Sequence, residues 1–525
     1  MYRILISDPL NPIGIAILRD SGAEVRLLEA DERDKLPELL PDFDALVVRS
    51  GTTVTAELLD VGKRLKVVGR AGIGVDNVDV KAATERGILV VNAPTANVLS
   101  ATEHTLALLL SLARKVPSAC ASLRTGAWER KKFVGMELHG KTLGVIGFGR
   151  IGQQVAARAR AFEMEVVAYD PFLGEEAAKR LGVDLLPLEE LLAAADVITL
   201  HTPLTDDTKN LLNAERIAQM KAGALLINCG RGGTVDEKAL LAALDDGRLA
   251  GAALDVFSQE PIDYPELVKH PKVVVTPHIG AQTREAQERI STQTAHMVLE
   301  SLGGSLAVSA VNLPFASTGT RGEPYLALGE KLGRLVGSLV HKGLERLEVR
   351  YWGLDNNLRT PVAVAVLKGA LTPLLGTAVN YVNAERIAAS RGIELVQSVH
   401  TGAMGYPLLV EVEATGADGA HRVAGTLFGD GGSRVVLFDG HRLEFQPSRR
   451  LLVVRNDDVP GVVGRLGTLL GEGGINIADI HLARDRERGE ALAVLRVDAD
   501  VPDSLVERIS AEPQVQNVQR IDLDS

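Results

Sequence analysis

The sequence predicts an α/β protein with two doubly wound parallel-sheet domains, followed by an α+β domain and a small domain of βαββαβ order. Three observations support this prediction: short, almost unbroken apolar runs, helical segments between those runs, and a different pattern after residue 312. Strands that are covered on both faces have such unbroken runs, and strands that alternate with helices form parallel sheets. A chain of 525 residues has room for roughly three or four domains.

The first 312 residues alternate between predicted strands and predicted helices. The apolar runs that we interpret as buried strands are residues 3–7, 45–49, 66–69, 142–146, 165–169, 197–200, 224–228, 252–256 and 273–276. Stretches with helical periodicity, such as residues 153–162, lie between many of them. Residues 96–115 predict a long helix that joins two domains, the first formed by residues 1–97 plus 285–313 and the second by residues 98–284.

The rest of the chain predicts two further domains. Residues 314–325 are turn-forming and indicate a linker. Residues 326–449 contain helical segments and then hairpin segments rich in Gly and Asp, which indicates an α+β domain over residues 314–450. Residues 451–525 have a βαββαβ order, which typically forms an antiparallel sheet with two helices on one face.

Composition and charge argue against several classes of protein. The formal net charge of −11 does not suit a general nucleic-acid binder or a basic membrane-surface protein. Two cysteines, Cys120 and Cys229, cannot form a disulfide framework, and the first residues lack the pattern of a signal peptide. The most apolar helical stretch, residues 106–113, is too short to cross a bilayer, and the histidines lack metal-ligand spacing. We therefore expect a cytoplasmic protein without a metal site.

A glycine motif predicts a dinucleotide site. Gly147, Gly149 and Gly152 form G-x-G-x-x-G directly after a predicted strand and at the start of a predicted helix. Such glycines allow a tight turn, close approach of a pyrophosphate, and close packing of helix on strand. Asp170 ends the next predicted strand, where its carboxylate can accept hydrogen bonds from ribose hydroxyls. That carboxylate would repel a 2′-phosphate, so the sequence favours NAD over NADP.

Further predicted strands in this half are followed by residues that can do chemistry. These residues are Arg231, Asp255, Glu260 and His278. Ligands of a doubly wound sheet collect at the carboxyl ends of its strands, so we expect these side chains to surround a nicotinamide. Taken singly, Arg231 could be a surface ion pair, Glu260 a solvated acid and His278 a loop residue. Their shared position at successive strand ends favours a functional site.

These segments also resemble a known family. Residues 147–152, 228–233, 254–261 and 277–283 resemble the motifs of the D-isomer-specific 2-hydroxyacid dehydrogenases. Residues 47–52, 69–79, 97–105 and 128–133 resemble those of the long members, which act on 3-phosphoglycerate at the start of serine biosynthesis. The resemblance implies a flavodoxin-like substrate domain, a Rossmann-type NAD domain, an intervening domain and a C-terminal ACT domain. It implies NAD-dependent oxidation of 3-phospho-D-glycerate to 3-phosphohydroxypyruvate, and leaves a side reduction of 2-oxoglutarate open.

The resemblance implies roles that suit the chemistry of these side chains. His278 would be the base that takes the hydroxyl proton, because an imidazole titrates near neutral pH. Glu260 beside it would raise its pKa, and Arg231 would hold the substrate carboxylate. The residues expected to contact the cofactor are Gly147, Gly149, Arg150, Ile151, Gly152, Asp170, Thr202, Pro203, Cys229, Gly230, Arg231, Asp255, His278, Gly280 and Ala281.

A phosphorylated substrate needs additional positive charge. The candidates in the first domain are Arg49, Ser50, Arg70 and Gly72. Arg130, Lys131 and Lys132 form a basic cluster that, by resemblance, reaches the site of a neighbouring subunit in a homotetramer. A solvated charged turn is the alternative interpretation of that cluster.

The tail resembles an ACT domain in residues 456–461 and 473–480. Asp458 lies next to a predicted helix N-terminus, where backbone N–H groups can bind a carboxylate while Asp458 binds an ammonium group. Asn476 adds an amide from the next predicted strand. The resemblance implies L-serine as an inhibitory effector. A capping turn without a ligand is the alternative.

Two other functions remain open from the sequence. One is another D-2-hydroxyacid dehydrogenase or a glyoxylate/hydroxypyruvate reductase, which would share the cofactor half but would not need the basic residues. The other is a non-enzymatic NAD-sensing corepressor, against which the complete set of Arg231, Glu260 and His278 argues.

Overall fold

The computed structural model describes residues 1–305, 310–340, 343–402, 405–417, 419–429, 431–485 and 489–523. These residues form four β-sheets that follow one another along the chain. The first two sheets are parallel throughout. The third sheet is mixed and the fourth is antiparallel. The predicted fold class is therefore confirmed.

The first sheet has the doubly wound strand order β2-β1-β3-β4-β5. Its strands are β1 (Arg3–Ile6), β2 (Glu24–Leu27), β3 (Ala45–Val48), β4 (Val67–Arg70) and β5 (Leu89–Asn92). Its helices are α1 (Pro12–Asp20), α2 (Leu36–Leu39), α3 (Ala56–Val61) and α4 (Val80–Glu85), with 3₁₀ turns at Ala30–Lys35 and Leu40–Asp42. Asn11, Thr55 and Asp79 start α1, α3 and α4, because each side chain accepts a backbone N–H group of the first turn.

The second sheet has the order β12-β11-β10-β9-β6-β7-β8. Its strands are β6 (Thr142–Ile146), β7 (Glu165–Tyr169), β8 (Asp184–Leu185), β9 (Val197–Leu200), β10 (Ala224–Asn228), β11 (Leu249–Leu254) and β12 (Val273–Val275). The helices are α5 (Val98–Ala113), α6 (Val116–Arg124), α7 (Arg150–Ala161), α8 (Glu175–Arg180), α9 (Leu188–Ala194), α10 (Ala214–Gln219), α11 (Glu237–Asp245) and α12 (Pro265–Val268), with a 3₁₀ turn at Arg130–Phe133.

The helix expected over residues 96–115 is shorter than predicted. It is α5, which ends at Ala113, and Lys115 then takes a left-handed conformation with φ of 53°. The chain bends there by 62° into α6. A left-handed residue cannot continue a right-handed helix, so the bend separates the two.

After the second sheet, the chain returns to the first one. Helix α13 (Arg284–Leu302) packs against α1, β4 and β5, with Val298 fully buried. A Cβ atom added at Gly69 of β4 would lie 2.5 Å from Val298 Cγ2, so the strand needs glycine at this contact. The amide of Val90 then donates to Asn312 Oδ1 at 2.9 Å. The segment after residue 284 therefore packs with the N-terminal sheet.

The third sheet has the order β14-β13-β15-β16-β17-β18. Its strands are β13 (Leu344–Trp352), β14 (Glu394–Val399), β15 (Leu409–Gly416), β16 (Gly419–Leu427), β17 (Ser433–Phe438) and β18 (His441–Phe445). The helices are α14 (Gly319–Leu339), α15 (Asn356–Leu375) and α16 (Ala384–Ser390), with a 3₁₀ turn at Gly376–Ala378. Helices α14 and α15 approach closely at Gly333, where an added Cβ atom would lie 2.0 Å from the carbonyl oxygen of Val366.

Two parts of the described chain are long and apolar enough to cross a membrane, judged by length and composition alone. They are helix α15 and, if the bent pair is counted as one span, α5 with α6. Most of α15 is buried inside the structure, because the helix packs against α14 and the sheet. Burial on several sides is typical of a core helix in a large globular domain.

The fourth sheet has the order β20-β21-β19-β22. Its strands are β19 (Arg450–Asp457), β20 (Ile477–Asp485), β21 (Glu490–Val497) and β22 (Val515–Asp522), and its helices are α17 (Val462–Glu472) and α18 (Asp503–Ser510). Leu452 and Val454 face the two helices, whereas Leu451 and Val453 join the hydrophobic core of the third-sheet domain. The helix-free face of this small sheet is therefore covered by the preceding domain of the same chain.

Candidate active site

The glycine motif forms an open cradle at the start of α7. Gly147 has a φ of 89°, and an added Cβ atom there would lie 2.8 Å from the backbone of His201. At Gly152, an added Cβ atom would lie 2.3 Å from the carbonyl oxygen of Gly147. At Gly149 it would meet nothing within 4 Å. The turn and the helix contact thus need glycine, while the backbone at Gly149 stays accessible to a phosphate group at a helix N-terminus.

Asp170 is tied to that cradle. Its Oδ2 accepts a hydrogen bond from the amide of Phe148 at 2.8 Å, and its Oδ1 accepts one from the amide of Phe172 at 2.9 Å. The carboxylate directly follows β7, at the carboxyl edge of the sheet. The carboxylate of Asp170 therefore lies where it could accept hydrogen bonds from the ribose hydroxyls of a dinucleotide. The glycine turn beside it would bind the pyrophosphate of the same molecule.

Two buried polar atoms beside the cradle lack a hydrogen-bond partner. They are Nδ1 of His201 and Oγ1 of Thr202. Burial lowers the pKa of His201 to about 4, so its ring is neutral at physiological pH. Buried polar groups in proteins almost always have a partner. Together with the open backbone at Gly149, these two atoms fit a polar ligand such as a dinucleotide.

His278 and Glu260 form a hydrogen-bonded pair. His278 Nδ1 donates to Glu260 Oε2 at 2.7 Å, and the other oxygen of Glu260 accepts from the amide of Phe257 at 3.0 Å. The Glu260 hydrogen bond raises the pKa of His278, although burial of the ring opposes that shift. Burial acts to raise the pKa of Glu260, but the hydrogen bonds from His278 and Phe257 lower it overall. The pair therefore holds a proton on the imidazole more firmly than a free histidine does.

Asp255 fixes the loop that carries His278. Its side chain is only 1% exposed, and its Oδ1 accepts from Thr276 Oγ1 at 2.6 Å and from the amide of Ile279 at 2.9 Å. Its Oδ2 accepts from the amide of Gly280 at 2.9 Å. Burial acts to raise the pKa of Asp255, but the hydrogen bonds from His104, from Thr276 and from the amide of Ile279 lower it overall. Asp255 thus holds the side chain of Thr276 before His278 and two backbone amides after it, and His278 itself has a left-handed φ of 53°.

Arg231 crosses from the second sheet to the first. It follows β10, and its Nε donates to Asp76 Oδ2 at 3.0 Å, while Nη1 donates to the carbonyl oxygen of Gly230. Asp76 lies in the loop after β4, where an added Cβ atom at Gly74 would lie 2.2 Å from Arg231 Nη2. The charge of Arg231 also acts to lower the pKa of His278. The guanidinium of Arg231 therefore lies between the first two sheets, close enough to the imidazole of His278 for its charge to act there, and we call this region the cleft.

Further arginines gather on the first-sheet side of this cleft. The pKa of Arg70 is lowered to about 10, mainly by burial and next by the positive charge of Arg231. The positive charge of Arg49 also acts to lower the pKa of Arg70. Burial lowers the pKa of Arg49, whose Nη1 donates to the carbonyl oxygen of Pro9 at 3.2 Å. Gly72 makes room for this group, since an added Cβ atom would lie 1.7 Å from Arg70 Nη1. Such a cluster favours anions.

The other residues that the sequence predicts for the substrate and cofactor sites have fewer contacts with the cleft. Ser50 is an exposed residue after β3, and Arg130, Lys131 and Lys132 are exposed in a short 3₁₀ turn, where Lys132 pairs with Glu129 at 2.6 Å. In the described part of the chain, no hydrogen bond or ion pair connects this basic turn to the cleft. Arg150 Nη1 donates to the carbonyl oxygen of Pro94, which links α7 to the first domain.

Cys229 directly follows β10. Burial raises the pKa of its thiol to about 12, which keeps it protonated. A protonated thiol is a poor nucleophile. Thr202 and Pro203 follow β9, Gly230 follows Cys229, and Ala281 follows the His278 loop.

The two expected effector residues already have partners in the chain. Asp458 accepts from Arg484 Nε at 2.8 Å, and Asn476 Nδ2 donates to Asp498 Oδ2 at 2.7 Å. Helix α17 begins at Val462, after Gly461 with a φ of 99°. Among the residues with described positions, no group of three or more His, Cys, Asp or Glu side chains is arranged to hold a metal ion.

Sequence reasoning missed two residues of this site. His104 in α5 places Nε2 3.2 Å from Asp255 Oδ1 and 3.0 Å from Thr276 Oγ1, so it closes the network under the His278 loop. Asp76 is the partner of Arg231. Both lie within segments that resemble the dehydrogenase family, which is the one signal that pointed to them.

Comparison with known proteins agrees with this geometry. Residues 106–280 match the family described as "D-isomer specific 2-hydroxyacid dehydrogenase, NAD binding domain". Residues 322–439 match "D-3-phosphoglycerate dehydrogenase intervening domain", and residues 450–514 match "ACT domain". The motif-based resemblance and the NAD cofactor are confirmed.

Several solved structures match more than half of the chain. The TT0316 protein from Thermus thermophilus is 39% identical with a TM-score of 0.53, and covers 57% of this chain and 97% of its own. A D-lactate dehydrogenase from Aquifex aeolicus, solved with NAD and lactic acid, is 31% identical with a TM-score of 0.52, and covers 57% of this chain and 96% of its own.

Full-length relatives decide the family. The D-3-phosphoglycerate dehydrogenases of Bacillus subtilis and Methanocaldococcus jannaschii are each 42% identical, over 100% of this chain and 100% of their own. That of Mycobacterium tuberculosis is 43% identical over 99% of each chain. The chain therefore belongs to the D-3-phosphoglycerate dehydrogenase family, and is an NAD-dependent oxidoreductase with an intervening domain and an ACT domain.

Proposed function

We propose that this protein oxidises 3-phospho-D-glycerate to 3-phosphohydroxypyruvate, the first step of phosphorylated L-serine biosynthesis. The observation that carries the proposal is the pair of His278 and Glu260, 2.7 Å apart, in the same cleft as Arg231. An alcohol dehydrogenation needs a base for the hydroxyl proton and a cation for the substrate carboxylate. These three side chains supply both.

The proton path follows from the hydrogen bonds. His278 Nδ1 is engaged by Glu260, so Nε2 is the nitrogen that takes the proton from the C2 hydroxyl group. Glu260 then stabilises the imidazolium that forms. Gly147, Gly149 and Gly152 would hold NAD, which would supply the acceptor for the hydride from C2. In the reverse reaction, the imidazolium returns the proton to the carbonyl oxygen.

The cationic cluster suits a substrate with two anionic ends. Arg231 would hold the carboxylate, and Arg49 and Arg70 would hold the phosphate, which carries about −1.5 to −2 charges at neutral pH. The charge of Arg231 acts to lower the pKa of Arg70, which supports their closeness. The carboxylate of Asp170 favours NAD over NADP, because it would repel a 2′-phosphate.

The alternative substrate class is an unphosphorylated 2-hydroxy acid or 2-oxo acid. A glyoxylate reductase from Paecilomyes thermophila is 29% identical and covers 98% of its own chain, so this cofactor half also serves such proteins. The cluster of partly buried arginines favours the phosphorylated substrate. A non-enzymatic NAD sensor would have no use for the pair of His278 and Glu260.

The deciding experiment is an NADH-consumption assay with 3-phosphohydroxypyruvate and with hydroxypyruvate. We expect kcat/KM to be about a hundredfold higher for the phosphorylated substrate. With hydroxypyruvate, the partly buried arginines would have no phosphate to pair with, and an unpaired buried charge costs several kcal/mol of binding free energy. Arg70→Gln should remove most of that preference, while Arg64→Gln, an exposed arginine that pairs with Asp44, is the matched control. Equal rates with the two substrates would contradict the proposal. An arm with 2-oxoglutarate measures the side reaction.

We propose further that the protein works as a homotetramer, in which the basic turn of Arg130, Lys131 and Lys132 reaches a neighbouring site. Helix α6 has no buried residue within the chain, and Trp128 beside it is 77% exposed. Exposed apolar surface of this kind marks a protein contact. Sedimentation of Trp128→Glu should show a smaller assembly, and an unchanged mass would contradict this contact.

A mixing experiment tests the shared site directly. A triple Arg130→Ala, Lys131→Ala, Lys132→Ala variant and a His278→Gln variant should each be weakly active. Hybrids reassembled from both should regain activity, because some sites then combine an intact base with an intact basic turn. Hybrids without a gain would place the basic turn outside the active site.

L-serine is the effector that we propose for the ACT domain. Asp458 lies just before Gly461 and the N-terminus of α17, so a ligand there would meet a carboxylate and free backbone N–H groups together. This polarity suits a zwitterionic amino acid. Asp458→Asn should abolish inhibition by L-serine, whereas Asp503→Asn, at the start of α18, should leave it unchanged.

We propose a cytoplasmic location for the enzyme. Both cysteines, Cys120 and Cys229, are free, and Cys120 is exposed. An exposed free thiol suits a reducing compartment. Fractionation of the producing cells should recover the activity with the cytoplasmic enzymes, and recovery with a membrane or secreted fraction would contradict it.

A further inference from the structure

We propose that a cavity between the intervening domain and the ACT domain of one chain binds a small carboxylate. The cavity has a volume of about 200 Å³. His421, Phe438 and Asp439 line it from the intervening domain, and Arg455 and Asn517 line it from the ACT domain. This site is separate from the active-site cleft, and its existence does not depend on the proposed catalytic function.

The cavity lies in a firm contact between the two domains. Val453 of β19 is buried in the core of the third-sheet domain, and Gln519 Nε2 of β22 donates to the carbonyl oxygen of Ser338 in α14. Arg455 follows Val453 on the same face of β19, because side chains of a strand alternate. A ligand held here would therefore contact both domains at once.

Arg455, which is ion-paired with Asp439, has further guanidinium N–H groups that can donate to an anion. Its Nη2 donates to Asp439 Oδ2, and this is its one side-chain hydrogen bond among the described residues. Nε and Nη1 remain as donors, and a guanidinium binds a carboxylate best through two parallel N–H groups. Asn517 stands opposite Arg455 in the register of β19 and β22, so its amide can donate to the same ligand.

Asp439 places a negative group directly beside Arg455. Its Oδ1 lies 3.1 Å from His421 Nδ1, and the residue sits in the tight turn between β17 and β18 with a φ of 47°. A carboxylate at this position can accept from the amino or hydroxyl group of a ligand. The buried side chain of Phe438 forms an apolar wall beside it.

Size limits the class of ligand. Pockets that hold drug-sized or cofactor-sized molecules have volumes of about 300–1,000 Å³. A cavity of about 200 Å³ suits an amino acid or hydroxy acid with a short side chain, and not a nucleotide. The cavity is on the helix-free face of the ACT sheet, whereas α17, which follows Asp458, packs on the other face.

The test is isothermal titration of the full-length protein with glycine, L-serine, D-lactate and inorganic phosphate. The titrations use the wild type and an Asp458→Asn variant, so that binding at the proposed effector site can be subtracted. We expect at least one of the three carboxylates to bind once per chain in the Asp458→Asn variant, which lacks the proposed effector site. Arg455→Gln and Asn517→Asp should each weaken that binding by about tenfold or more.

The control is Arg465→Gln, which removes an exposed arginine that pairs with Glu512 on the helix-bearing face of the ACT domain. It should leave carboxylate binding unchanged. Thermal unfolding of each variant shows whether the fold is intact, and Asn517→Asp keeps the proposal testable if Arg455→Gln unfolds. The proposal fails if no carboxylate binds at about 10 mM, if phosphate alone binds, or if binding survives in a folded Arg455→Gln or Asn517→Asp variant.

Discussion

Arg231 Nε and Asp76 Oδ2 lie 3.0 Å apart, although 155 positions separate the two residues in the chain. Arg231 belongs to the domain of the second sheet and Asp76 to that of the first. The ion pair therefore joins the two domains at the site where the substrate would bind. It also fixes the guanidinium that is expected to hold the substrate carboxylate.

Removal of Asp76 should impair substrate use. In Asp76→Ala, Arg231 loses the partner that fixes its Nε, and we expect kcat/KM for 3-phosphohydroxypyruvate to fall by about tenfold. The matched control is Asp42→Ala, an exposed acid of the same domain that pairs with Arg3 at 3.8 Å. Steady-state kinetics of both variants check this, and similar values for the two would show that the ion pair has no role in substrate binding.

Loss of the imidazole should remove catalysis while leaving cofactor binding intact. We expect His278→Gln to lower kcat by about 10²–10⁴-fold, the usual contribution of a general base. The dissociation constant for NADH, measured by fluorescence titration, should stay nearly unchanged. His139→Gln is the control, because this exposed histidine also pairs with a glutamate, Glu163 at 3.1 Å. A His278→Gln variant that keeps more than about a tenth of the wild-type kcat would exclude His278 as the base.

The pair of His278 and Glu260 predicts a shift in the pH profile. Glu260 raises the pKa of His278, so in Glu260→Gln that pKa should fall. Oxidation needs the neutral ring, and its rise in kcat should therefore move to lower pH. Reduction needs the protonated ring, and its decline should also move to lower pH, so the reduction slows near neutral pH. The pH dependence of kcat in both directions measures this, and unshifted profiles would contradict the coupling.

The charge of Asp170 should decide between the two nicotinamide cofactors. Asp170→Asn keeps an oxygen that can accept from the amide of Phe148 but removes the negative charge that faces a 2′-phosphate. We expect the ratio of kcat/KM for NAD over NADP to fall by about tenfold or more. Asp184→Asn, in the neighbouring strand β8, is the control. An unchanged ratio would mean that Asp170 has a structural role alone.

Two glycines should respond to alanine in opposite ways. Gly333→Ala forces α14 away from α15, because the new methyl group would lie 2.0 Å from the carbonyl oxygen of Val366. We expect the free energy of unfolding to fall by about 1–3 kcal/mol. Gly464 in α17 has nothing within 4 Å of an added Cβ atom, so Gly464→Ala should raise the free energy of unfolding by about 0.5–1 kcal/mol. Thermal unfolding compares them, and equal shifts would show that helix contact is not the cause.

Much of the fold was predictable because its signals are local. Apolar runs of four or five residues mark the buried strands, and the three glycines of the cradle are needed for turn geometry that involves few neighbours. The helix over residues 96–115 shows the limit of such signals. Its apolar pattern continues through the bend, while the break depends on one left-handed residue, Lys115.

The sequence by itself determined the α/β architecture, the NAD cradle and the strand-end positions of Arg231, Glu260 and His278. These depend on periodicity, on glycine conformation and on the fact that parallel strands present their carboxyl ends at one edge. The tertiary structure decided which groups actually meet: Asp76 with Arg231, His104 beneath the His278 loop, and Arg455 with Asp439. Such contacts join residues from distant segments or different domains, so their geometry depends on how packed elements fit together and leaves no periodic trace in the chain.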